Sequence, residues 1–237
     1  MEIIAMGGGG FSMEPDNPLL DRYILQQVKK KRPKICFLPT ASGDAAGYIE
    51  RFYRFFEQEE CEPTHLSLLK PIMSEEEMKD FLLAQDIIYV GGGNTRNMLA
   101  LWREWGIDQV LREAWENNII LAGISAGAIC WFEQAVTDSN PRELTVISGL
   151  GLLKGSSCPH FDGEIERRPS YYRLLREGTV TNGVALDDGA ALHFVGTNVY
   201  RAVSSRPQAT AYCIEVNGSD IVEKPFNMQH LGCKEPE

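Results

Sequence analysis

Short apolar runs alternate with amphipathic segments through the first half of the chain. The runs at residues 3–6, 34–38, 64–69 and 86–90 predict four strands. Apolar residues at helical spacing predict helices over 18–31, 45–58, 74–83, 96–105 and 107–116. Strands that alternate with helices are typical of a parallel sheet covered by helices on both faces.

The pattern changes beyond Cys130, where short strand-like runs with Gly or Asn turns replace the alternation. These runs are residues 144–147, 184–186, 190–194, 199–203, 210–216 and 221–222, and one helix is predicted over 170–177. Asn217-Gly218 is a hairpin signal. The pattern therefore predicts an α/β fold: a doubly wound, mostly parallel sheet between helices, with antiparallel strands added in the C-terminal part.

Length and composition narrow the class of protein. The chain has 237 residues, 43% of them hydrophobic, and no linker or repeat, so we expect a single domain over 1–237. A net charge of −10 argues against nucleic acid and anionic membranes as partners. Six scattered cysteines without a C-x-x-C, together with a short, acidic N-terminus, favour a cytoplasmic protein.

The richest local signal is the stretch at residues 117–128. An apolar strand runs into Gly123-Ile124-Ser125-Ala126-Gly127, and small residues then open a helix. Strand, serine turn and helix is the context of a nucleophile elbow, in which the glycines avoid collisions with neighbouring backbone. The alternative is a buried small-residue turn that only lets a helix pack closely on the sheet.

Two glycine-rich loops follow predicted strands. Residues 7–10 could cradle a phosphate, but no helix starts at once and no dinucleotide fingerprint follows, so we favour a plain loop and expect no cofactor. The second loop, Gly91-Gly92-Gly93-Asn94-Thr95, should fall on the same sheet edge as Ser125. The N–H of Gly93 and the N–H of Ala126 are therefore candidates for an oxyanion hole.

A serine nucleophile needs a base and an acid to orient it. His160, in an irregular stretch at a strand end, is the best placed of four histidines that also include His65, His193 and His230. The residues alone leave the acid open among Asp138, Asp162, Asp187 and Asp188. No cluster has metal-ligand spacing, so no metal is expected.

Four motifs together resemble a known family. They are the 91–95 loop, the 123–128 elbow, Pro159-His160-Phe161 and Leu186-Asp187-Asp188-Gly189, in that order along the chain. The chain is similar over about residues 3–194 to peptidase E, the aspartyl dipeptidases, whose wider relatives include cyanophycinase. The resemblance implies a fold like that of class I glutamine amidotransferases.

The resemblance also implies site residues. It makes Ser125 the nucleophile, His160 the base and Asp188 the orienting acid, where the family usually carries Glu. Asp138 matches a further acid that matters in the family, and is kept as the second candidate. Asn94 and Arg168 are the expected substrate-binding residues, Arg168 for an N-terminal Asp side chain.

These observations favour a serine peptidase that hydrolyses short peptides through an acyl-enzyme. The activity would be dipeptidase-like, with cleavage after an N-terminal Asp implied by the resemblance. Two alternatives stay open: an amide or ester hydrolase on the same scaffold, and a non-catalytic small-molecule binding module. A small peptide is the expected partner, and a homodimer is left open.

Overall fold

A computed structural model describes residues 1–140, 143–218 and 220–233. The strands of this part are β1 Glu2–Met6, β2 Lys34–Leu38, β3 Glu62–His65, β4 Ile87–Val90, β5 Ile120–Ile124, β6 Phe132–Thr137, β7 Thr145–Ser148, β8 Leu153–Cys158, β9 Gly183–Leu186, β10 Ala190–Val195, β11 Asn198–Ser204, β12 Ala211–Asn217, β13 Asp220–Pro225 and β14 Met228–His230. The helices are α1 Gly10–Met13, α2 Leu19–Gln26, α3 Ala46–Phe56, α4 Glu75–Leu83, α5 Thr95–Glu104, α6 Ile107–Glu116, α7 Ala126–Ile129 and α8 Arg167–Arg176.

The larger sheet has eight strands in the order β14-β11-β10-β1-β5-β4-β2-β3. Its centre, β1-β5-β4-β2-β3, is parallel, and β10 joins β1 antiparallel. Alternate residues of the central strands enter different cores: in β2, Cys36 and Leu38 pack toward α4–α7, and Ile35 and Phe37 pack toward α1–α3. Burial on both faces is why these strands are apolar along their whole length.

The C-terminal strands are divided between two sheets. β10, β11 and β14 extend the large sheet, whereas a separate six-stranded sheet has the order β13-β12-β9-β8-β6-β7. The apolar pattern did not predict β6, β8 or β14. Strand β8 reads Leu-Lys-Gly-Ser-Ser-Cys, and its Ser156 and Ser157 are buried polar residues. Such a strand lacks the apolar alternation that marks a half-buried strand in a sequence.

In the first half of the chain, two elements differ most in length from their predicted bounds. Helix α2 ends at Gln26 rather than at residue 31, since Gln27 and Val28 already donate to carbonyls three residues back and four cations follow. Strand β3 covers Glu62–His65 rather than 64–69, because it pairs only with β2, which ends at Leu38. Neither difference moves the strand ends discussed below.

The architecture is the predicted mixed α/β class, a mostly parallel sheet with helices on both faces. Adjacent parallel strands β4 and β5 end together in the large sheet, and β8 and β9 end together in the small one. A single bridge between Gly8 and Asp188 joins the end of β1 to the end of β9. Among the described helices, none is both long and apolar enough to cross a membrane.

Candidate active site

Ser125 lies at the turn between β5 and α7 with a left-handed backbone, φ 55° and ψ −113°. A side chain at Gly123 would place a Cβ 2.1 Å from the carbonyl oxygen of Gly127, and one at Gly127 would come 2.2 Å from that of Val90. Both glycines are therefore required by close backbone approach, as the elbow interpretation predicts. The turn leaves the Ser125 side chain partly exposed at the end of β5.

His160 follows β8 and also has a left-handed backbone, with φ 52°. Its Nε2 lies 2.9 Å from Oγ of Ser125, and its Nδ1 lies 2.6 Å from Oδ1 of Asp188. A non-glycine residue at positive φ is strained, and such strain persists where the surrounding structure fixes it. The strained backbone of His160 is consistent with a ring held between two partners.

Asp188 lies after β9 and is the one of the four candidate carboxylates that contacts the His160 ring. Burial raises the pKa of Asp188, but the hydrogen bond and charge of His160, helped by Arg206 and Arg167, outweigh it and lower the pKa overall. An ionised carboxylate can only accept, so Nδ1 of His160 carries the proton. Nε2 is then free to accept the hydroxyl proton of Ser125.

The backbone of Asp188 is fixed from two sides. Its N–H donates to Oδ1 of Asp162 at 2.8 Å, and the next residue, Gly189, donates to the carbonyl of Gly8 at 3.0 Å. Asp162, one of the four acids considered above, therefore supports the acid rather than the histidine.

The first glycine loop packs directly on the His160–Asp188 pair. A Cβ at Gly8 would lie 1.8 Å from Oδ1 of Asp188 and 3.0 Å from Nδ1 of His160. No side chain fits there, which explains a glycine at this position without any bound phosphate. The run of glycines is visible in the sequence, but the sequence does not show that it approaches His160 and Asp188.

The second glycine loop lies against Ser125. A Cβ added at Gly92 would be 3.3 Å from Cβ of Ser125, and Gly93 is exposed with φ 138°. The N–H of Gly92 donates to the Tyr48 hydroxyl, whereas the N–H groups of Gly93 and Ala126 have no acceptor among the described residues. Unpaired N–H groups that face a reacting carbonyl can stabilise an oxyanion, so Gly93 and Ala126 stay the predicted donors.

Asn94 and Asp138, two other predicted site residues, have different surroundings. The Asn94 side chain caps α5 by accepting from Asn97 N–H at 2.9 Å, and its amide donates to the Ser139 carbonyl at 3.4 Å. The Asp138 side chain is 64% exposed, lies 3.5 Å from Nη2 of the buried Arg167, and makes no contact with His160. Asn94 thus fixes the start of α5 behind the glycine loop.

Arg168 is not brought to Ser125. Its guanidinium donates to Glu223 at 3.1 Å and lies 4.3 Å from the ring centroid of Phe161. The cavity that Ser125 and His160 line does not include Arg168. Arg168 therefore does not line the cavity beside Ser125, because Glu223 and Phe161 hold its side chain elsewhere.

The other three histidines have structural partners. His65 lies 2.8 Å from the Tyr53 hydroxyl, and His193 is buried between the Tyr23 hydroxyl and the Glu2 carboxylate. Nδ1 of His230 lies 3.2 Å from the Ser204 carbonyl.

A cavity of about 230 Å³ opens beside Ser125 and His160. Three of its residues, Met13, Tyr48 and Arg51, were not singled out from the sequence. Tyr48 belongs to an aromatic stripe of α3 that packs in the core, so its helical spacing gave no sign of a second surface toward the site.

The comparison with protein families is decisive for the class of protein. The model of peptidase family S51 matches residues 3–201, a range that includes Ser125, His160 and Asp188. The chain belongs to peptidase family S51. A relative from Bacillus subtilis (strain 168), the uncharacterized peptidase YgaJ, is 56% identical over 231 residues, which cover 98% of this chain and 99% of YgaJ.

Solved structures similar to this S51 chain share its fold. A candidate peptidase E protein from Listeria monocytogenes EGD-e has a TM-score of 0.60 at 17% identity, with 95% of this chain and 98% of that chain covered. A peptidase from an acI-B1 Actinobacterium has a TM-score of 0.63 at 20% identity, with coverages of 95% and 96%. The resemblance to the peptidase E family and the predicted fold class, like that of class I glutamine amidotransferases, are thereby confirmed.

Proposed function

We propose that this S51 peptidase is a serine peptidase of short peptides that works through an acyl-enzyme, with Ser125, His160 and Asp188 as its catalytic triad. The observation that carries the proposal is the hydrogen-bond chain from Oγ of Ser125 through the His160 ring to Asp188, with distances of 2.9 and 2.6 Å. The site takes residues from both sheets, which favours one domain over residues 1–237.

In the first step, Oγ of Ser125 attacks the scissile carbonyl while Nε2 of His160 takes the hydroxyl proton. Asp188 stabilises the imidazolium that forms and keeps its ring in place. The negative charge on the substrate oxygen develops toward the N–H groups of Gly93 and Ala126. Ala126 begins α7, so its N–H has no acceptor within the helix and is available to the oxyanion.

In the second step, His160 returns the proton to the leaving amine, and the acyl group stays on Ser125. Water then takes the place of the amine, gives its proton to Nε2 and attacks the ester carbonyl. The second tetrahedral species collapses to a free acid and the original hydroxyl. Every proton in the cycle passes through the one nitrogen that faces Ser125.

The resemblance to peptidase E implies short peptides as substrates, and the cavity beside Ser125 is small. The cavity of about 230 Å³ lies below the usual range of about 300–1,000 Å³ for ligand pockets. Cleavage after an N-terminal Asp, which the family resemblance implies, needs a cation within reach of the acid, and the cavity contributes only Arg51 among its lining residues. Asp-Xaa peptides are therefore included among the substrates to be assayed, but a preference for them is not assumed.

A peptide-library digest followed by mass spectrometry tests the proposal. We expect the wild-type protein to cleave peptides of two or three residues faster than longer ones. Ser125→Ala should lower kcat by about 10⁴- to 10⁶-fold, as the loss of a nucleophile does in other triads, with the fold unchanged. Equal turnover by Ser125→Ala on a cleaved peptide would refute the mechanism.

A panel of esters and primary amides separates the alternatives. Esters react faster than peptides without any enzyme. A peptidase should therefore show a ratio of kcat/KM, best dipeptide over the ester or amide of the same acyl residue, that is higher than the ratio of their uncatalysed reactivities. Hydrolysis of esters without any peptide cleavage would indicate the non-peptidase hydrolase. No turnover and no reaction with a fluorophosphonate probe would indicate a binding module.

A further inference from the structure

An ion pair lies behind the acid of the triad, outside the cavity beside Ser125. Nε of Arg206 donates to Oε1 of Glu14. Glu14 directly follows α1 in the first glycine loop, and Arg206 belongs to the turn after β11. Neither side chain lines the cavity, so the pair is not placed to contact a substrate there.

The two members of the pair pack on the turn that carries the acid. A Cβ at Gly189 would lie 2.9 Å from Cγ of Arg206, so the methylene groups of Arg206 cover the residue next to Asp188. A Cβ at Gly9 would lie 2.9 Å from Oε2 of Glu14 and 3.4 Å from Cα of Gly189. The Asp188–Gly189 turn is therefore in contact with both the glycine loop and the Arg206 side chain.

Ser205 connects the ion pair to the backbone of the same turn. Its N–H donates to the Gly189 carbonyl at 2.8 Å, and its hydroxyl lies 3.3 Å both from that carbonyl and from Oε2 of Glu14. The N–H of Gly189 donates to the carbonyl of Gly8 at 3.0 Å. Both backbone hydrogen bonds of Gly189 thus go to the two segments that the ion pair joins.

The charge of Arg206 acts on the acid as well. Charged groups near the Asp188 turn come from several segments: His160 and Asp162 after β8, Arg167 at the start of α8, the adjacent Asp187, and the pair of Glu14 and Arg206. Burial raises the pKa of Asp188, the hydrogen bond and charge of His160 lower it, and Arg206 is the next group that lowers it. A cation here favours the ionised acid and opposes positive charge on the imidazole.

We propose that Arg206 is a positioning residue for the reaction: in its ion pair with Glu14, it holds the Asp188–Gly189 turn against His160. The inference rests on the proposed triad and deepens it, because Arg206 acts through Asp188 and not on the substrate. A displacement of about 1 Å in a catalytic group can cost about 10²-fold in rate, which sets the scale of the expected effect.

The first test is the kinetics of Arg206→Met. Methionine keeps an unbranched apolar side chain over Gly189 but removes the charge and the ion pair. On a dipeptide that the wild type cleaves, we expect kcat to fall by about 10- to 100-fold and KM to stay within about 2-fold. Thermal unfolding should barely change, because partly exposed ion pairs add little to stability. An unchanged kcat would overturn the proposal.

The pH profile of kcat/KM separates positioning from a general loss of structure. Loss of the cation in Arg206→Met should move the acid limb to higher pH, because an imidazolium at His160 then forms more readily. Glu14→Gln breaks the pair by removing its anion, so it should move the acid limb to lower pH and also lower kcat. Acid limbs that stay in place, or that move in the same direction in both variants, would overturn the proposal.

A double variant tests whether Arg206 acts through the acid. In an Asp188→Asn background, Arg206→Met should lower the rate further by no more than about 2-fold, because the group that it positions is already lost. A further loss as large as in the wild-type background would refute the role.

Arg22→Met is the matched control, since it breaks an ion pair of similar exposure far from the triad in sequence. The Arg22 and Glu59 side chains are 52% and 16% exposed, against 38% and 15% for Arg206 and Glu14. Arg22→Met should keep the wild-type kcat and pH profile. A loss in Arg22→Met equal to that in Arg206→Met would show that any lost ion pair has this effect, and would overturn the proposal.

The wild-type protein keeps this failure apart from failure of the peptidase function. A wild type that cleaves dipeptides and reacts with a fluorophosphonate probe, with Arg206→Met equal to it in kcat, contradicts only the role of Arg206. A wild type that neither cleaves peptides nor reacts with the probe contradicts the peptidase function, and the role of Arg206 falls with it.

Discussion

The two sheets each bring a pair of adjacent parallel strand ends to the candidate site, but the pairs are of different kinds. In the large sheet, the ends of β4 and β5 carry Gly93 and Ser125, whose placement depends on backbone turns. In the small sheet, the ends of β8 and β9 lead to His160 and Asp188, whose side chains interact. The site forms only where the two pairs meet, at the bridge between Gly8 and Asp188.

This difference shows which parts of a site are local. The part of the site on the large sheet, Gly93 and Ser125, can be recognised from short motifs, since Gly-x-Ser-x-Gly and a triple glycine already specify the turns. The small-sheet part depends on a tertiary contact, because His160 and Asp188 are 28 residues apart and each is an ordinary loop residue by itself. The comparison predicts different sensitivities of the two parts to substitution.

After loss of the nucleophile itself, the largest effect should come from the small-sheet pair. Asp188→Asn keeps the shape of the side chain but lets the His160 ring adopt the wrong tautomer, so kcat should fall by up to about 10⁴-fold with the fold intact. Steady-state kinetics together with thermal unfolding measure both expectations. Asp138→Asn, which removes no contact to the ring, serves as the comparison. A larger loss in Asp138→Asn than in Asp188→Asn would reverse the assignment of the acid.

A smaller effect is expected at the glycine loop of the large sheet. A Cβ at Gly93 would come 2.2 Å from the Ala41 carbonyl oxygen, so Gly93→Val should displace the N–H donor and lower kcat by about 10²- to 10³-fold. Gly106→Ala is the control, because Gly106 also has a positive φ but open space around its Cβ. An unchanged kcat in Gly93→Val, with the loop in place, would remove Gly93 from the oxyanion hole.

The bridge between Gly8 and Asp188, which connects the two sheets, can be tested by itself. Gly8→Ala introduces a Cβ into the space occupied by Asp188, and a displacement of about 1 Å can cost about 10²-fold in rate. We expect this loss in kcat without loss of the strand framework, as measured by circular dichroism. Gly196→Ala, whose new Cβ meets nothing within 4 Å, carries only the strain of its φ of 59° and should keep the wild-type kcat. Full activity in Gly8→Ala would mean that the catalytic geometry tolerates a displacement of the His160–Asp188 pair relative to Ser125.

The smallest expected effect is on stability rather than on rate. Asp21 is buried under the first glycine loop, where it accepts the Phe11 N–H at 2.7 Å, and burial raises the pKa of its carboxyl to about 7. A folded-state pKa above the ordinary value favours the protonated folded form, so stability present below about pH 4 is lost as pH rises through about 7.

Asp21→Asn should remove this pH dependence and still accept the Phe11 N–H. Urea unfolding at pH 5 and pH 8 measures it: wild type should lose on the order of 1–3 kcal/mol more than the variant, at about 1.4 kcal/mol per pKa unit. Asp16→Asn, an exposed acid nearby, is the control. The same pH dependence in wild type and Asp21→Asn would contradict a titrating Asp21.

Much of the fold could be predicted because buried parallel strands are apolar throughout and alternate with amphipathic helices. The division of the C-terminal strands into two sheets could not, since β8 ends in buried serines rather than apolar residues. The residues alone could not separate the four candidate acids, because Asp188 reaches His160 through the pairing of β8 with β9, and no apolar pattern predicted β8. Arg51 and Tyr48 were missed for a similar reason: α3 approaches Ser125 only through tertiary packing.

The central claim is that Ser125 is the nucleophile, activated where the two sheets meet. The most direct measurement is reaction with a fluorophosphonate probe, then digestion and mass spectrometry of the labelled peptides. We predict one adduct, on Ser125, absent from Ser125→Ala and formed much more slowly in Asp188→Asn. A protein that cleaves peptides while Ser125 stays unlabelled, or that is labelled equally in Ser125→Ala, would contradict the account.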